Sequence, residues 1–113
     1  MNGIIKYNIE HNGCLVGIYT NTGEPNHDIY PDMAKKKQNG GSSGIEGEYD
    51  ALYFNSDPKC ELHIERDSKN ENVFHFKWFS MGNPNPFHIG IGIKVDEKTI
   101  LSFGRSCVLI NSF

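Results

Sequence analysis

Apolar and polar residues alternate with period two along most of this chain. Ile5, Tyr7 and Ile9 interleave with Lys6, Asn8 and Glu10, as in a half-buried strand whose successive side chains point to opposite faces. His11-Asn12-Gly13 follows. Asn-Gly accepts the positive φ values of a tight hairpin turn, so a second strand is expected over Cys14-Leu15-Val16-Gly17-Ile18-Tyr19. The pattern resumes where Ile45, Gly47, Tyr49, Ala51 and Tyr53 share one face and Glu46, Glu48, Asp50 and Leu52 the other. A loop at Ser56-Asp57-Pro58-Lys59 would set Tyr53 against Leu62 and Ala51 against Ile64. In the next hairpin Cys60, Leu62 and Ile64 alternate with Glu61, His63 and Glu65, and Phe74, Phe76 and Trp78 with His75 and Lys77. Pairing Leu62 with Phe76 puts Ile64 against Phe74 and Cys60 against Trp78 on one face, and Glu61 against Lys77 on the other; such cross-strand agreement specifies register.

Beyond a turn-rich loop over 80–86, Phe87, Ile89, Ile91, Ile93 and Val95 alternate with His88, Gly90, Gly92 and Lys94. Asp96-Glu97-Lys98 closes a short hairpin that sets Ile93 against Leu101 and Ile91 against Phe103, and Cys107 to Ile110 forms an eighth strand. The segment 20–44 breaks the alternation. Pro31 suits a first helical position, Asp28 a cap, Asp32 the positive end of a helix dipole, and lysines 35–37 a last turn, so one short helix is expected near 31–38. Gly40-Gly41-Ser42-Ser43-Gly44 then reads as a flexible linker. Together these elements predict an all-β fold: one domain over 1–113, a small antiparallel up-and-down β-barrel of about eight strands, with a β-sandwich as rival.

Composition narrows the function classes. Net charge is −3 with a single lysine cluster at 35–37, which reads as a solvated helix end; a nucleic-acid binder would show a basic stripe with interleaved aromatics. The three cysteines, Cys14, Cys60 and Cys107, are odd in number and lack CxxC spacing, as expected of reduced, packed thiols. The first residues carry no signal-peptide pattern, and no apolar run is long enough to span a membrane. The expected setting is cytoplasmic, without nucleic-acid or membrane partners.

Candidate chemistry is sparse. In the register above His63 opposes His75, and His88 or Glu65 would complete a zinc-like set; the plainer reading places all three histidines on the solvent face, with no metal. The cysteines occupy strand positions that suit small core residues and lack a nucleophile's partners. Gly90-Ile91-Gly92 sits inside a strand pattern, where glycine marks close approach or a bend and not a phosphate loop. Glu46, Glu48 and Asp50 read as solvent-facing charge. The aromatics remain. Tyr19, Tyr49, Tyr53, Phe76 and Trp78 fall on inward-type faces, and an eight-stranded barrel either fills its interior or holds one small ligand. Tyr and Trp suit a pocket because each joins an apolar body to a polar tip.

Asn12-Gly13-Cys14-Leu15-Val16-Gly17-Ile18-Tyr19-Thr20 resembles the NGxLxGxY hairpin near the start of avidin-like barrels. The stretch from Gly44 through Arg105, with Gly47-Glu48-Tyr49, Phe76-Lys77-Trp78 and Gly90-Ile91-Gly92-Ile93, resembles small bacterial proteins of lipocalin-like or avidin-like shape without an assigned activity. The resemblance implies a barrel with one open end and self-association into a homo-oligomer. Biotin binding is not carried over, because avidin-type sites use several tryptophans and this chain has only Trp78. The function expected is therefore a non-enzymatic barrel, with no cofactor, that binds or sequesters a small aromatic or partly apolar ligand among Tyr19, Tyr49, Tyr53, Phe76 and Trp78. The alternative is a protein-interaction or inhibitory module acting through its surface and the 20–44 loop; an enzyme with an unrecognised His or Glu constellation is a third reading.

Overall fold

In the computed structural model the described residues are 2–23, 25–38, 44–53 and 58–107, the side chains of Tyr53, Pro58 and Lys59 excepted. Eight strands follow one another: β1 Asn2–Ile9, β2 Leu15–Asn21, β3 Tyr30–Lys36, β4 Gly47–Tyr53, β5 Pro58–Arg66, β6 Val73–Ser80, β7 His88–Asp96 and β8 Thr99–Ser106. Each pairs antiparallel with the next, and β8 pairs back onto β1, so the sheet is a closed up-and-down barrel. Closure leaves no edge strand to template association.

The first hairpin forms where Asn12-Gly13 was expected. Gly13 takes φ 82°, its N–H donates to the Glu10 carbonyl at 3.1 Å, and the Cys14 N–H donates to the Asn12 side-chain oxygen at 3.1 Å. The two-residue turn between β7 and β8 also holds, with Ile93 opposite Leu101 and Ile91 opposite Phe103.

The short helix expected near 31–38 is instead β3, and no helix occurs among the described residues. Tyr30, Asp32 and Ala34 point inward while Pro31, Met33 and Lys35 point outward. The cause is non-local. A helix of eight residues is marginal alone, whereas an extended segment here supplies backbone partners to both β2 and β4. Pro31 is tolerated near the start of the strand, opposite Ile18. The eighth strand expected at Cys107–Ile110 is replaced in the count by β3; Cys107 lies beyond β8, and 108–110 fall outside the described residues. So do residues 40–43 of the linker and residues 56 and 57 of the expected loop, whose residues 58 and 59 instead begin β5.

Two registers differ from expectation by even steps. Leu62 opposes Trp78 and Ile64 opposes Phe76. An even shift keeps every side chain on its face, but it separates His63 from His75, which oppose Lys77 and Glu65. Asp67 sets this register: its Oδ2 accepts from the N–H groups of Lys69 and Asn70, and its own N–H donates to the Val73 carbonyl. Across β4 and β5, Tyr49 opposes Leu62 and Ala51 opposes Cys60, and a bulge follows between Ala51 and Leu52.

The core gathers Tyr7, Leu15, Tyr49, Leu62, Phe76 and Ile100, all essentially buried. β7 and β8 behave differently. Their inward positions are Gly90, Gly92, Ser102 and Gly104, while Ile91, Ile93 and Phe103 project into solvent. The inner side is already occupied: a Cβ on Gly92 would lie 2.5 Å from Phe76 Cε1 and 3.1 Å from the Leu101 carbonyl. Replacing fully buried Phe76 with Ala should cost about 3–5 kcal/mol. Phe103→Ala, at a side chain 56% exposed, should cost under about 1 kcal/mol. Urea denaturation of both variants checks which face is inside, and similar losses would contradict the assignment.

Candidate functional site

The interior is filled unevenly. Register places Gly3 opposite Gly104, Gly104 opposite Gly90, and Gly90 opposite Phe76, so a row of three glycines crosses β1, β8 and β7 on the inner surface. Beside that row lies a cavity of about 240 Å³, lined by Ile5, Tyr19, Asp32, Trp78, His88 and Ser102 together with the glycines Gly3 and Gly104; the His88 ring and the Ser102 hydroxyl are what a Cβ on Gly104 or Gly90 would meet. It lies at the end of the barrel where β1 and β7 begin and β2 and β8 finish, and Asn21, Phe87 and Ser106 complete its rim. The volume exceeds the ~150 Å³ void that takes a benzene ring but falls short of the ~300–1,000 Å³ of drug-sized pockets. A single ring with a short side chain matches it.

The walls are both aromatic and polar. Trp78 stacks on Phe76 with ring centroids 5.7 Å apart and meets the edge of the His88 ring at 5.1 Å. Tyr19 packs against Tyr30 at 5.4 Å. Asp32 is 6% exposed. Its Oδ2 accepts from the Tyr7 hydroxyl at 2.7 Å and its Oδ1 from the Met33 N–H at 2.8 Å. Removal from water disfavours the carboxylate and pushes its pKa up to about 6, against the two hydrogen bonds, which pull it down. Burial also holds the His88 imidazole below its usual range, favouring the neutral ring. Ser102 is 1% exposed and its Oγ has no hydrogen-bond partner in the structure; an unsatisfied buried hydroxyl costs about 1–3 kcal/mol. Among the described lining residues Asp32 is the one carboxylate, and none is Lys or Arg.

Of the residues singled out from the sequence, Tyr19 and Trp78 line this cavity. Phe76 does not; it is fully buried behind Trp78. Tyr49 belongs to the packed core, and its hydroxyl donates to the Ile45 carbonyl at 2.7 Å, with burial pushing its pKa up to about 12. Tyr53 opposes Asp32 through its backbone, and its side chain lies outside the described residues. The sequence reading missed Asp32, taken for a helix residue, and His88, placed on the outer face but in fact turned inward across Gly104. The run of Gly90, Gly92, Ser102 and Gly104 on alternating positions was the available signal: with Ile100 the one buried apolar side chain they share that face with, β7 and β8 bring little volume to the interior.

The candidate histidine set is not assembled. His63 lies instead beside Glu48 and Glu61, their ligand atoms within 4.8 Å of one another. The positive charge there is Lys37, whose Nζ is 2.7 Å from Glu61 Oε1 and 3.9 Å from Asp50; it holds the Glu61 carboxyl below its usual range. His75 pairs with Asp67 at 2.8 Å. Cys60 is buried, and none of the three cysteines forms a disulfide.

No family model, curated protein or solved structure matches the chain.

Asp32 makes stability depend on pH in a direction opposite to most carboxylates. Its folded-state pKa lies above the unfolded value of 3.8. The unfolded chain therefore releases its proton first as pH rises, and the folded state loses stability between about pH 4 and 6.5, by up to about 3 kcal/mol. His88, lowered in the fold, acts the other way near pH 6.5 and partly masks this in the native protein. Comparison with Asp32→Asn isolates the term: the variant should gain stability relative to the native protein from pH 4 to 6.5 and hold that gain above. Chemical denaturation across that range checks it, and a pH-independent difference would contradict it.

Proposed function

We propose that this chain is a non-enzymatic binding barrel that takes a single-ring, partly apolar small molecule into the cavity beside Trp78. The observation that carries the reading is the combination of a void beside the glycine row with polar groups held inside it. A void left by packing alone would be lined by apolar groups; this one keeps the Asp32 carboxylate and the Ser102 hydroxyl at an energetic cost. Such sites, apolar walls with a few fixed polar groups, are where small ligands bind. The eight-stranded meander with a cavity at one end is in keeping with the lipocalin-like and avidin-like shape its motifs suggest. Three cysteines outside any disulfide fit a reducing, cytoplasmic setting.

Ligand entry should displace water from the Trp78 ring and shift its fluorescence, and Trp78→Ala should weaken binding at least about tenfold by removing stacking area. Ser102→Val fills part of the void and removes the unpaired hydroxyl, so it should retain or raise thermal stability while abolishing binding. A fluorescence and thermal-shift screen of single-ring metabolites provides the measurement. If no compound moves either signal, or if Ser102→Val binds as well as the native protein, the reading fails.

One further observation favours self-association. Ile4, Ile18, Ile91, Ile93, Leu101 and Phe103 form a continuous exposed stripe across the outer faces of β7, β8, β1 and β2, with Ile29 at its margin. At their fractional exposures these side chains offer roughly 600 Å², at the upper end of what a monomer shows in one patch and approaching the ~800 Å² per partner of a standard interface. We infer that a second copy covers it. Val16 and Met33 carry exposed apolar surface on to β3, but Lys37, Glu48, Asp50, Glu61 and His63 occupy the outer face of the opposite side, so the apolar surface does not ring the barrel as a lipid-facing belt does. Sedimentation should show a dimer that Phe103→Lys converts to a folded monomer; a native monomer at high concentration would refute it.

A further inference from the structure

The proposed binding function leaves open what the ligand presents to the polar part of the cavity. We propose that the site is specific for a primary or secondary ammonium carried on an aromatic ring, with Asp32 as the counter-ion, Trp78 as the ring and cation platform, and Ser102 as an additional acceptor. This inference rests on the reading of the cavity as a binding site and names its ligand class.

The groups present argue for a cation on several independent grounds. Asp32 is the one carboxylate among the described lining residues, and no described Lys or Arg lines the cavity to neutralise it. Its two hydrogen bonds come from neutral donors, the Tyr7 hydroxyl at 2.7 Å and the Met33 N–H at 2.8 Å. Each takes one lone-pair direction of one oxygen, and an ionised carboxylate offers about four such sites, so both oxygens retain acceptor capacity toward a ligand. Ser102 Oγ, buried and without a partner, has lone pairs to offer. The Trp78 and Tyr19 rings line the same space, and an indole face attracts an ammonium most strongly when water is excluded. An anionic ligand would meet the carboxylate with no compensating cation in the described lining. A neutral apolar ligand would leave Asp32 buried and unpaired, the costly arrangement. An ammonium converts the same burial into a charge-assisted hydrogen bond. The imidazole of His88, neutral under these conditions, adds no positive charge to oppose it.

The test compares phenethylamine, phenethyl alcohol and hydrocinnamate, three single-ring probes of similar size, using calorimetry and Trp78 fluorescence at pH 7.5. On the native protein the amine should bind about tenfold or more tightly than the alcohol, as hydrogen bonds to a charged group exceed neutral ones, and hydrocinnamate should bind weakest. In Asp32→Asn the amide keeps one acceptor and the Tyr7 hydroxyl can turn to accept from its nitrogen, so the fold should persist; the amine's advantage should disappear while the alcohol's affinity changes less than about threefold. If Asp32→Asn does not fold, the ranking of the three probes on the native protein decides alone. Equal or tighter binding of the alcohol or the acid on the native protein overturns the ligand class and leaves the binding function standing, as does an amine preference that survives in folded Asp32→Asn. If none of the three probes binds, the ligand class is overturned, and the wider screen and the Ser102→Val variant then decide the fate of the binding reading separately.

Discussion

The inner surface of a closed eight-stranded barrel has room for a limited volume of side chain, and how the strands share that volume shapes everything else in this protein. Five of the strands, β2 to β6, contribute Leu15, Ala34, Tyr49, Leu62 and Phe76 to a solid core. At the other side β1, β8 and β7 contribute the glycine row of Gly3, Gly104 and Gly90, with Tyr7 and Ile100 reaching the core farther along β1 and β8. Phe76 sits between the two regimes. Its ring fills the space in front of Gly92 so closely that a methyl group there would clash, and on its far side it supports Trp78. The large ring on β6 and the absent side chains on β7 are therefore one packing solution, and the void that remains lies beyond it, toward the barrel's end.

A void of this kind has a cost, since its lining atoms lose the contacts a filled core would give. The buried carboxylate adds to that cost: its proton is held more tightly in the folded chain than in the unfolded one. Polar groups that reduce stability in the empty state are commonly retained at sites where a ligand restores what burial removed. Tyr7 shows how the fold limits the damage. It is itself fully buried, and its hydroxyl ties β1 to β3 across the interior through Asp32, so the carboxylate is held in one orientation before anything binds.

The fold class was legible because period-two alternation survives every even register slip. That is why faces were assigned correctly on β1, β2, β4, β5 and β6 although two pairings moved. Register itself was not legible, because turn contacts such as those of Asp67 set it, and they do not show in a comparison of opposing side chains. β3 was missed for a different reason. Pro31 and three lysines carry genuine helix-terminal preferences, and the demand of β2 and β4 for a common neighbour overrides them. That miss concealed Asp32, since a helix placed its carboxylate in solvent and the strand places it in the cavity. Trp78 and Tyr19 were found because large rings on inward positions announce themselves. The glycines opposite them, which determine that there is space at all, were read singly and not as a row.

The same two strands that hollow the interior also create the exposed apolar stripe outside. On β7 and β8 the usual arrangement is inverted, with Gly90, Gly92, Ser102 and Gly104 inside and Ile91, Ile93, Leu101 and Phe103 outside. Turning the bulky side chains inward would fill the cavity and leave a bland surface; turning them outward opens the cavity and leaves apolar area facing water. The cavity and the outer stripe are thus consequences of a single choice of face. This wall of the barrel has few side chains within to brace it, and Gly90 and Gly104 face each other across it. A second copy packed on its outer side would supply from outside the support that a solid core gives elsewhere. Assembly and ligand affinity would then be coupled through the stiffness of β7 and β8, because a wall already ordered by the partner loses less freedom when a ligand orders it further.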